Sequence, residues 1–434
     1  MCYAIPGKIE SINAKMVTVD YFGEKKKALN ELTGLSVGDY VYAQGGYLIS
    51  KVPQQQAEES LSIWKDLFFS LKELDNRLAQ YPNDKKDSQS RSAKIFRKVT
   101  QAQDPSVDEL GYLLSLTEKN ELEEFFKFSN SLRKSYLSNS CCVHGIIEIS
   151  NYCQRQCSYC GISTQNKNLK RYKMTKEEII QSVEEAVNIY GFKALVLQSG
   201  ESDAYGIEEL VEIISQIKKR FAVLIFISFG EIGKEGLAKL YQAGARGLLM
   251  RFETSNPDLY EKLHPGASLD ERLLQIDYAY NLGYLIITGA LIGLPGQTGQ
   301  DIINDIRLAR KLHAEMFSFG PFIRHPETPL AKAVESKEED ILKVLALCRL
   351  LADAQTKILV TTGFESISNQ AREKGLACGG NSVMLNITPL KFRRLYNIYP
   401  NRAHEQETIE TQIKDVLDLL KSMGRAPTDL GVSV

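Results

Sequence analysis

Eight short apolar runs recur along the last two thirds of the chain, with helical segments between most of them. They are Ile146 to Ile149, Ala194 to Leu197, Val223 to Ile227, Gly247 to Met250, Leu285 to Leu291, Met316 to Phe319, Ile358 to Val360 and Ser382 to Leu385. Runs this short and this apolar suit strands buried on both faces, and alternation with helices makes such strands parallel. Eight of them predict an α/β fold, a (β/α)8 barrel of TIM type rather than an open sheet. In such a barrel the strand C-terminal ends and the loops after them form the active site. Ser106 with Glu109 and Thr175 with Glu178 are capping boxes that open two of the helices.

A second, smaller unit precedes the barrel. Lys8 to Ile12, Met16 to Tyr21, Lys27 to Leu29 and Tyr40 to Tyr42 are β-type runs separated by turn signals, which predicts a small β-barrel. From about Gln54 to Leu78 the residues Leu61, Trp64, Leu67, Phe68 and Leu71 fall at helical spacing on one face. Residues 79–99 begin with a polar stretch around Tyr81-Pro82-Asn83-Asp84 and read as a linker, so the expected units are 1–78 and 100–434.

Acids and bases nearly balance, 54 against 53, so no bulk charge calls for nucleic acid or an anionic membrane as partner. The first residues lack the apolar run of a signal peptide, and no stretch approaches the roughly 20 apolar residues of a membrane helix. The expected location is the cytoplasm, where eight dispersed cysteines point to metal or redox chemistry and not to a disulfide framework.

Three of those cysteines, Cys153, Cys157 and Cys160, form a CxxxCxxC directly after the first barrel run. Three thiolates leave a tetrahedral zinc one ligand short, but they can hold three irons of a cubane and leave the fourth open to bind another molecule. Zinc completed by a distant ligand, or inert core thiols, are the alternatives. The spacing, with Tyr159 just before the last cysteine, resembles the signature of radical S-adenosylmethionine (SAM) enzymes. In those enzymes the amine and carboxylate of SAM chelate the free iron of a single 4Fe-4S cluster.

Longer stretches carry two family resemblances. Met1-Cys2-Tyr3-Ala4-Ile5-Pro6-Gly7-Lys8 and Val37-Gly38-Asp39-Tyr40-Val41 resemble the HypC family of hydrogenase maturation chaperones. Gln198-Ser199-Gly200-Glu201, Arg251-Phe252-Glu253-Thr254, Gly293-Leu294-Pro295-Gly296-Gln297-Thr298 and His325-Pro326-Glu327-Thr328-Pro329-Leu330 resemble the HydE family of radical SAM maturases. The first resemblance implies that Cys2 carries iron bearing carbonyl and cyanide. The second implies that Gly200 and Glu201 receive the methionyl amine of SAM, that Glu231 and Arg251 fix its ribose side and carboxylate, and that Ser228 is a lesser SAM contact. It also implies that Thr288, Thr361, Thr362, Met384, Tyr396 and Tyr399 line a substrate cavity. A structural ion pair of Arg251 with Glu231 or Glu253 is the rival role for those charges.

His144 stands where the HydE family usually has arginine, and it is expected to bind substrate as a hydrogen-bond donor, with metal ligation as the alternative. Arg324 and Cys378-Gly379-Gly380-Asn381 also depart from the family pattern. Cys348 and Cys378 are isolated, so one cluster is expected.

Together these readings imply a radical SAM enzyme of hydrogenase maturation. It would take a small organometallic iron substrate from its own N-terminal domain, with other maturation proteins as partners. An amino-acid substrate, as in methylornithine synthase or biotin synthase, and a non-enzymatic iron carrier are the alternatives.

Overall fold

The computed structural model describes residues 5–81, 89–429 and 432–433. Five strands build the N-terminal unit: β1 (Gly7–Asn13), β2 (Met16–Tyr21), β3 (Glu24–Leu29), β4 (Tyr40–Gln44) and β5 (Tyr47–Val52). Alternation decides which side chains point inward, so Val17, Val19 and Tyr21 of β2 meet Ile9, Val41, Ala43 and Leu48 in one small core. β3 touches β5 at Leu29 and Tyr47, which closes the sheet into the expected small barrel. The fifth strand escapes the sequence reading because Gly45-Gly46 and Ser50-Lys51 interrupt its apolar signal.

The helix Gln54–Leu78 follows, with Phe68 packed into that core and Leu61 and Trp64 against it. Its last turns leave the small barrel and reach the large one. There Asp75, 2% exposed, is gripped by both terminal nitrogens of Arg133 at 2.8 Å and by Arg425 at 3.1 Å.

The expected linker is only partly one. Ser90 caps a helix, Arg91–Thr100, whose Ala93, Ile95, Phe96 and Val99 are buried, and Phe96 stacks on Phe128 at 4.2 Å. Its apolar residues recur at helical spacing, which the polar residues ahead of it obscure. Part of the remaining linker, 82–88, lies outside the described residues.

The large unit is the expected closed barrel of eight parallel strands. In chain order these are β6 (Cys142–Ser150), β7 (Ala194–Ser199), β8 (Leu224–Ser228), β9 (Gly247–Leu249), β10 (Leu285–Thr288), β12 (Met316–Phe317), β14 (Lys357–Val360) and β15 (Ser382–Asn386). The run expected to end at Leu291 divides instead. After Thr288 the chain leaves the barrel wall, and β11 (Leu291–Ile292) pairs with β13 (Gly320–Pro321) above the rim. Both capping boxes form as expected. Along β6, Val143, Ile147 and Ile149 face the helices while Cys142 and Ile146 face the barrel axis. No helix among the described residues is long and apolar enough to cross a membrane.

The two units interlock at the barrel's N-terminal mouth. Tyr47 and Ile49 join a buried cluster with Cys142, Ile146, Ala194, Leu224, Phe226, Met316 and Met384 from the barrel interior. Tyr47 also donates its hydroxyl to the Gly283 carbonyl at 3.3 Å, and Arg246 pairs with Glu31 at 2.9 Å. At the chain's other end, β16 (Val432–Ser433) adds an antiparallel strand to β3. Residues 432–433 thus belong to the small sheet, which a boundary drawn between 1–78 and 100–434 does not anticipate.

Candidate active site

Cys153, Cys157 and Cys160 lie on the loop that leaves the C-terminal end of β6, where barrel folds place their chemistry. The loop is tied down from inside. Asn151 donates to the carbonyls of Lys170 and Leu395 at 2.9 and 2.7 Å and accepts from the Tyr172 amide at 2.8 Å. Arg171 donates to the carbonyls of Asn151, Ile162 and Ser163, fastening both ends of the cysteine segment to one guanidinium. Gly200 lets β7 approach from below, for a Cβ there would sit 2.2 Å from the Tyr152 carbonyl oxygen and 2.8 Å from Cys153 Cβ. Gly200→Ala is therefore expected to displace Cys153 and to lower iron retained after reconstitution by more than half, at unchanged far-ultraviolet circular dichroism. Full retention would show that the loop tolerates the shift.

All three sulfurs face one cavity of about 330 Å³. Burial pushes their thiols up, Cys160 to about 12 and Cys157 well above its ordinary value, with neighbouring sulfurs adding to the rise for both. Uncharged thiols without a bound cation, they need metal charge to become thiolates. Among the described residues no three His, Cys, Asp or Glu side chains converge as one mononuclear ion requires.

Beside the cysteines stands a lattice of alternating charges. Arg155, inside the motif, bonds Glu201 through Nε and Glu231 at 2.8 Å through Nη2. Arg272, on the helix Leu269–Leu282, meets Glu231 at 3.0 Å and Glu201 at 3.5 Å, and donates to the Tyr260 hydroxyl and the Arg251 carbonyl. Burial raises the Glu231 carboxyl, and the two arginines pull it back. Arg251 pairs with Glu253 at 2.5 Å, the second of the two rival ion pairs expected for it, yet its Nε is buried with no partner. A buried guanidinium N–H left unbonded is costly, and a ligand carboxylate at that point would satisfy it. Tyr159 donates its hydroxyl to His264 Nε2 at 3.0 Å. His264 must then carry its proton on Nδ1, which faces the Tyr260 carbonyl, and burial holds the imidazole neutral with a pKa of about 3.

The cavity continues down the barrel axis to a second polar group. Glu148 accepts from Arg402 and from Asn386 at 3.0 Å, and the Arg402 guanidinium stands 5.5 and 6.0 Å from the ring centres of Tyr396 and Tyr399. Arg402 Nε is likewise buried without a partner. Gln198 donates to the Tyr396 hydroxyl at 3.0 Å.

The structure brings most of the expected site residues together. The three cysteines, Tyr159, Glu201, Ser228, Arg251, Thr361, Thr362, Met384, Tyr396 and Tyr399 all line this cavity. Glu231 lies one layer behind Glu201, held by the arginines, and Gly200 acts through packing. Thr288 is fully buried outside the cavity lining.

His144 also lies elsewhere, in a small separate pocket at the N-terminal mouth with Gln44, Cys142, Lys357 and Asp429. A residue near the start of β6 sits at the barrel's opposite end from the cysteine loop, so its expected contact with substrate is not made. Burial, with the Lys357 charge, drops its pKa from 6.5 to about 4. Below pH 6.5 the unfolded chain takes up a proton that the folded chain refuses, until about pH 4. Stability should therefore fall with acidification across that window by up to about 1.4 kcal/mol per pH unit for this group. Urea midpoints at pH 7.5 and 5 measure it, and His144→Gln should flatten the slope.

Sequence reasoning missed Arg155, Arg272, Glu148 and Arg402. Glu148 had a signal, a lone acid at an inward position of the apolar run Ile146 to Ile149. Arg272 had none, since only the folded barrel brings that helix to the cysteine loop.

The Radical SAM superfamily model matches residues 147–309, the span from β6 to beyond β11, and the HupF/HypC family model matches residues 1–64. The [FeFe] hydrogenase maturase subunit HydE of Thermotoga maritima is 38% identical over 314 residues, 72% of this chain and 89% of that protein. The chain belongs to the HydE family of radical SAM enzymes. The 3-methylornithine synthase of Methanosarcina acetivorans is 29% identical over 325 residues, covering 74% of this chain and 90% of its own. The crystal structure of methylornithine synthase (PylB) superposes with a TM-score of 0.69 at 27% identity, over 77% of this chain and 97% of that one. HydE-family membership makes the chain an enzyme that uses a 4Fe-4S cluster and SAM, which removes the bare iron carrier from consideration. A HupF/HypC-like domain is joined to it.

Proposed function

We propose that this HydE-family enzyme acts on a cysteine-bound iron carrying carbonyl and cyanide, supplied by the HypC-like domain through Cys2. The union of the two families in one chain carries the reading. Cys2 itself lies outside the described residues.

When bound, cluster and SAM supply reductive cleavage of a sulfonium and a 5′-deoxyadenosyl radical. The chain's residues bind, orient and keep out water. Cys153, Cys157 and Cys160 would hold the cluster. Glu201 accepts from the methionyl amine, and Arg251 offers its unbonded Nε to the methionyl carboxylate. Arg155 and Arg272 fix both glutamates beforehand, so little reorganisation is left for binding. Lower down, the hydroxyls of Thr361, Thr362 and Tyr399 donate to the anionic ends of the substrate, and Arg402 Nε takes a carboxylate. Apolar walls at Ile146, Leu359 and Met384 keep the deep end dry.

An amino-acid substrate is the second reading. The Glu148–Arg402 pair could meet the two charges of a free amino acid, and the likeness to 3-methylornithine synthase favours it.

Cys2→Ala separates them. With delivery through Cys2, the variant loses iron loading or product yield while 5′-deoxyadenosine release from SAM and dithionite persists. Unchanged maturation contradicts delivery.

A further inference from the structure

Resting on that reading, we infer that iron carried by the N-terminal domain of one chain is handed to the barrel rim of a second copy, and not to the rim of its own chain. The small barrel closes the end of the large barrel opposite the cysteines. Its β4–β5 turn enters the mouth, where a Cβ on Gly45 would stand 2.9 Å from a methyl of Leu224, and the Gly45 amide donates to Asp429 at 3.1 Å. Gln44 beside it reaches Asp429 at 3.4 Å and the Cys142 sulfur at 3.7 Å. Below the cavity, Tyr47, Ile49, Phe226 and Met316, each at most 8% exposed, pack together in the barrel interior.

The domain is also held at widely separated points. Besides the turn in the mouth there are the pairing of β16 with β3, the Glu31–Arg246 ion pair, and Asp75 between Arg133 and Arg425. A carrier that swung from one end of the barrel to the other would have to break all of them. Burial at the mouth and a doubly paired buried carboxylate make that costly.

Chain reach decides between the remaining routes. Ile5 is buried in the core of the small barrel, and Cys2 precedes it by three residues in the sequence. Three residues fully extended span about 11 Å. The nine residues of β6 measure about 30 Å along the strand, or about 24 Å of barrel height at the tilt such barrels adopt. A path around the outside is longer still. Cargo at Cys2 therefore falls short of the cysteine loop of its own chain, and no described residue of the N-terminal domain lines the cavity at the rim.

Complementation between two defective chains tests the inference. One is C2A, with an intact cysteine loop; the other is C157S, which keeps its carrier cysteine but lacks a cluster ligand. The two are produced in the same cells under different tags. The readout is loss of the infrared carbonyl and cyanide bands of the carried iron, since C2A alone still releases 5′-deoxyadenosine, with melting curves confirming that both chains fold. Neither chain alone should convert the cargo, and the co-produced pair should recover about half of wild-type turnover per intact cysteine loop. An inactive pair beside an active wild type overturns delivery between copies and leaves delivery within one chain. If C2A alone converts cargo at the wild-type rate, the carrier role of Cys2 falls first and the inference with it.

Discussion

Cys157→Ala is expected to abolish reductive SAM cleavage. Two thiolates cannot hold three corners of a cubane. Iron after anaerobic reconstitution should fall from about four per chain to near zero, and 5′-deoxyadenosine should fall to background. The fold should survive, because the loop is anchored by Asn151 and Arg171 and not by the cysteine. A variant that kept its iron and still cleaved SAM would mean that the cluster is held elsewhere.

Asp75→Ala should give the largest loss of stability. The carboxylate is the common partner of Arg133 and Arg425, both at most 1% exposed, and its removal leaves two guanidinium groups buried beside each other with less to balance them. Breaking a buried pair from one side costs about 3–5 kcal/mol. The position is also tight, since a Cβ on Gly424 would stand 2.3 Å from the Asp75 amide nitrogen, so the backbone cannot easily close the gap. Urea unfolding followed by circular dichroism measures the loss, and a shift below about 1 kcal/mol would mean that water reaches the arginines. Asp75→Asn, which keeps the shape and some of the hydrogen bonds, should lie between the two.

The barrel was legible because its strands are apolar on both faces and the helices between them carry their own start signals, as at Thr175 and Glu178. The cysteine loop was legible because its ligands are neighbours in sequence. Partners distant in sequence were not. Arg155 gives no sign of reaching Glu231, 76 residues on, and Arg402 none of closing on Glu148, 254 residues away. The docking of the small barrel was hidden for the same reason: Gln44-Gly45-Gly46 reads as an ordinary hairpin turn until Asp429, near the far end of the chain, is folded against it. His144 shows the converse, a position judged by family pattern whose place on β6 puts it at the other mouth.

The Arg155–Glu201–Arg272–Glu231 lattice explains how a cavity rich in charge can be ready for SAM before it binds. Each carboxylate already has two cationic neighbours, and Arg251 Nε remains a buried donor without a partner. Arg402 Nε repeats the arrangement at the substrate end. Two orphan guanidinium donors in one cavity fit two acidic ligands bound one above the other.

Infrared spectra of the protein isolated anaerobically with its cargo, before and after SAM and dithionite, test the proposed substrate most directly. Carbonyl and cyanide bands should be present at the outset and should shift or vanish as 5′-deoxyadenosine accumulates. Bands that are absent, or that stay unchanged while SAM is consumed with a free amino acid, would contradict an organometallic substrate.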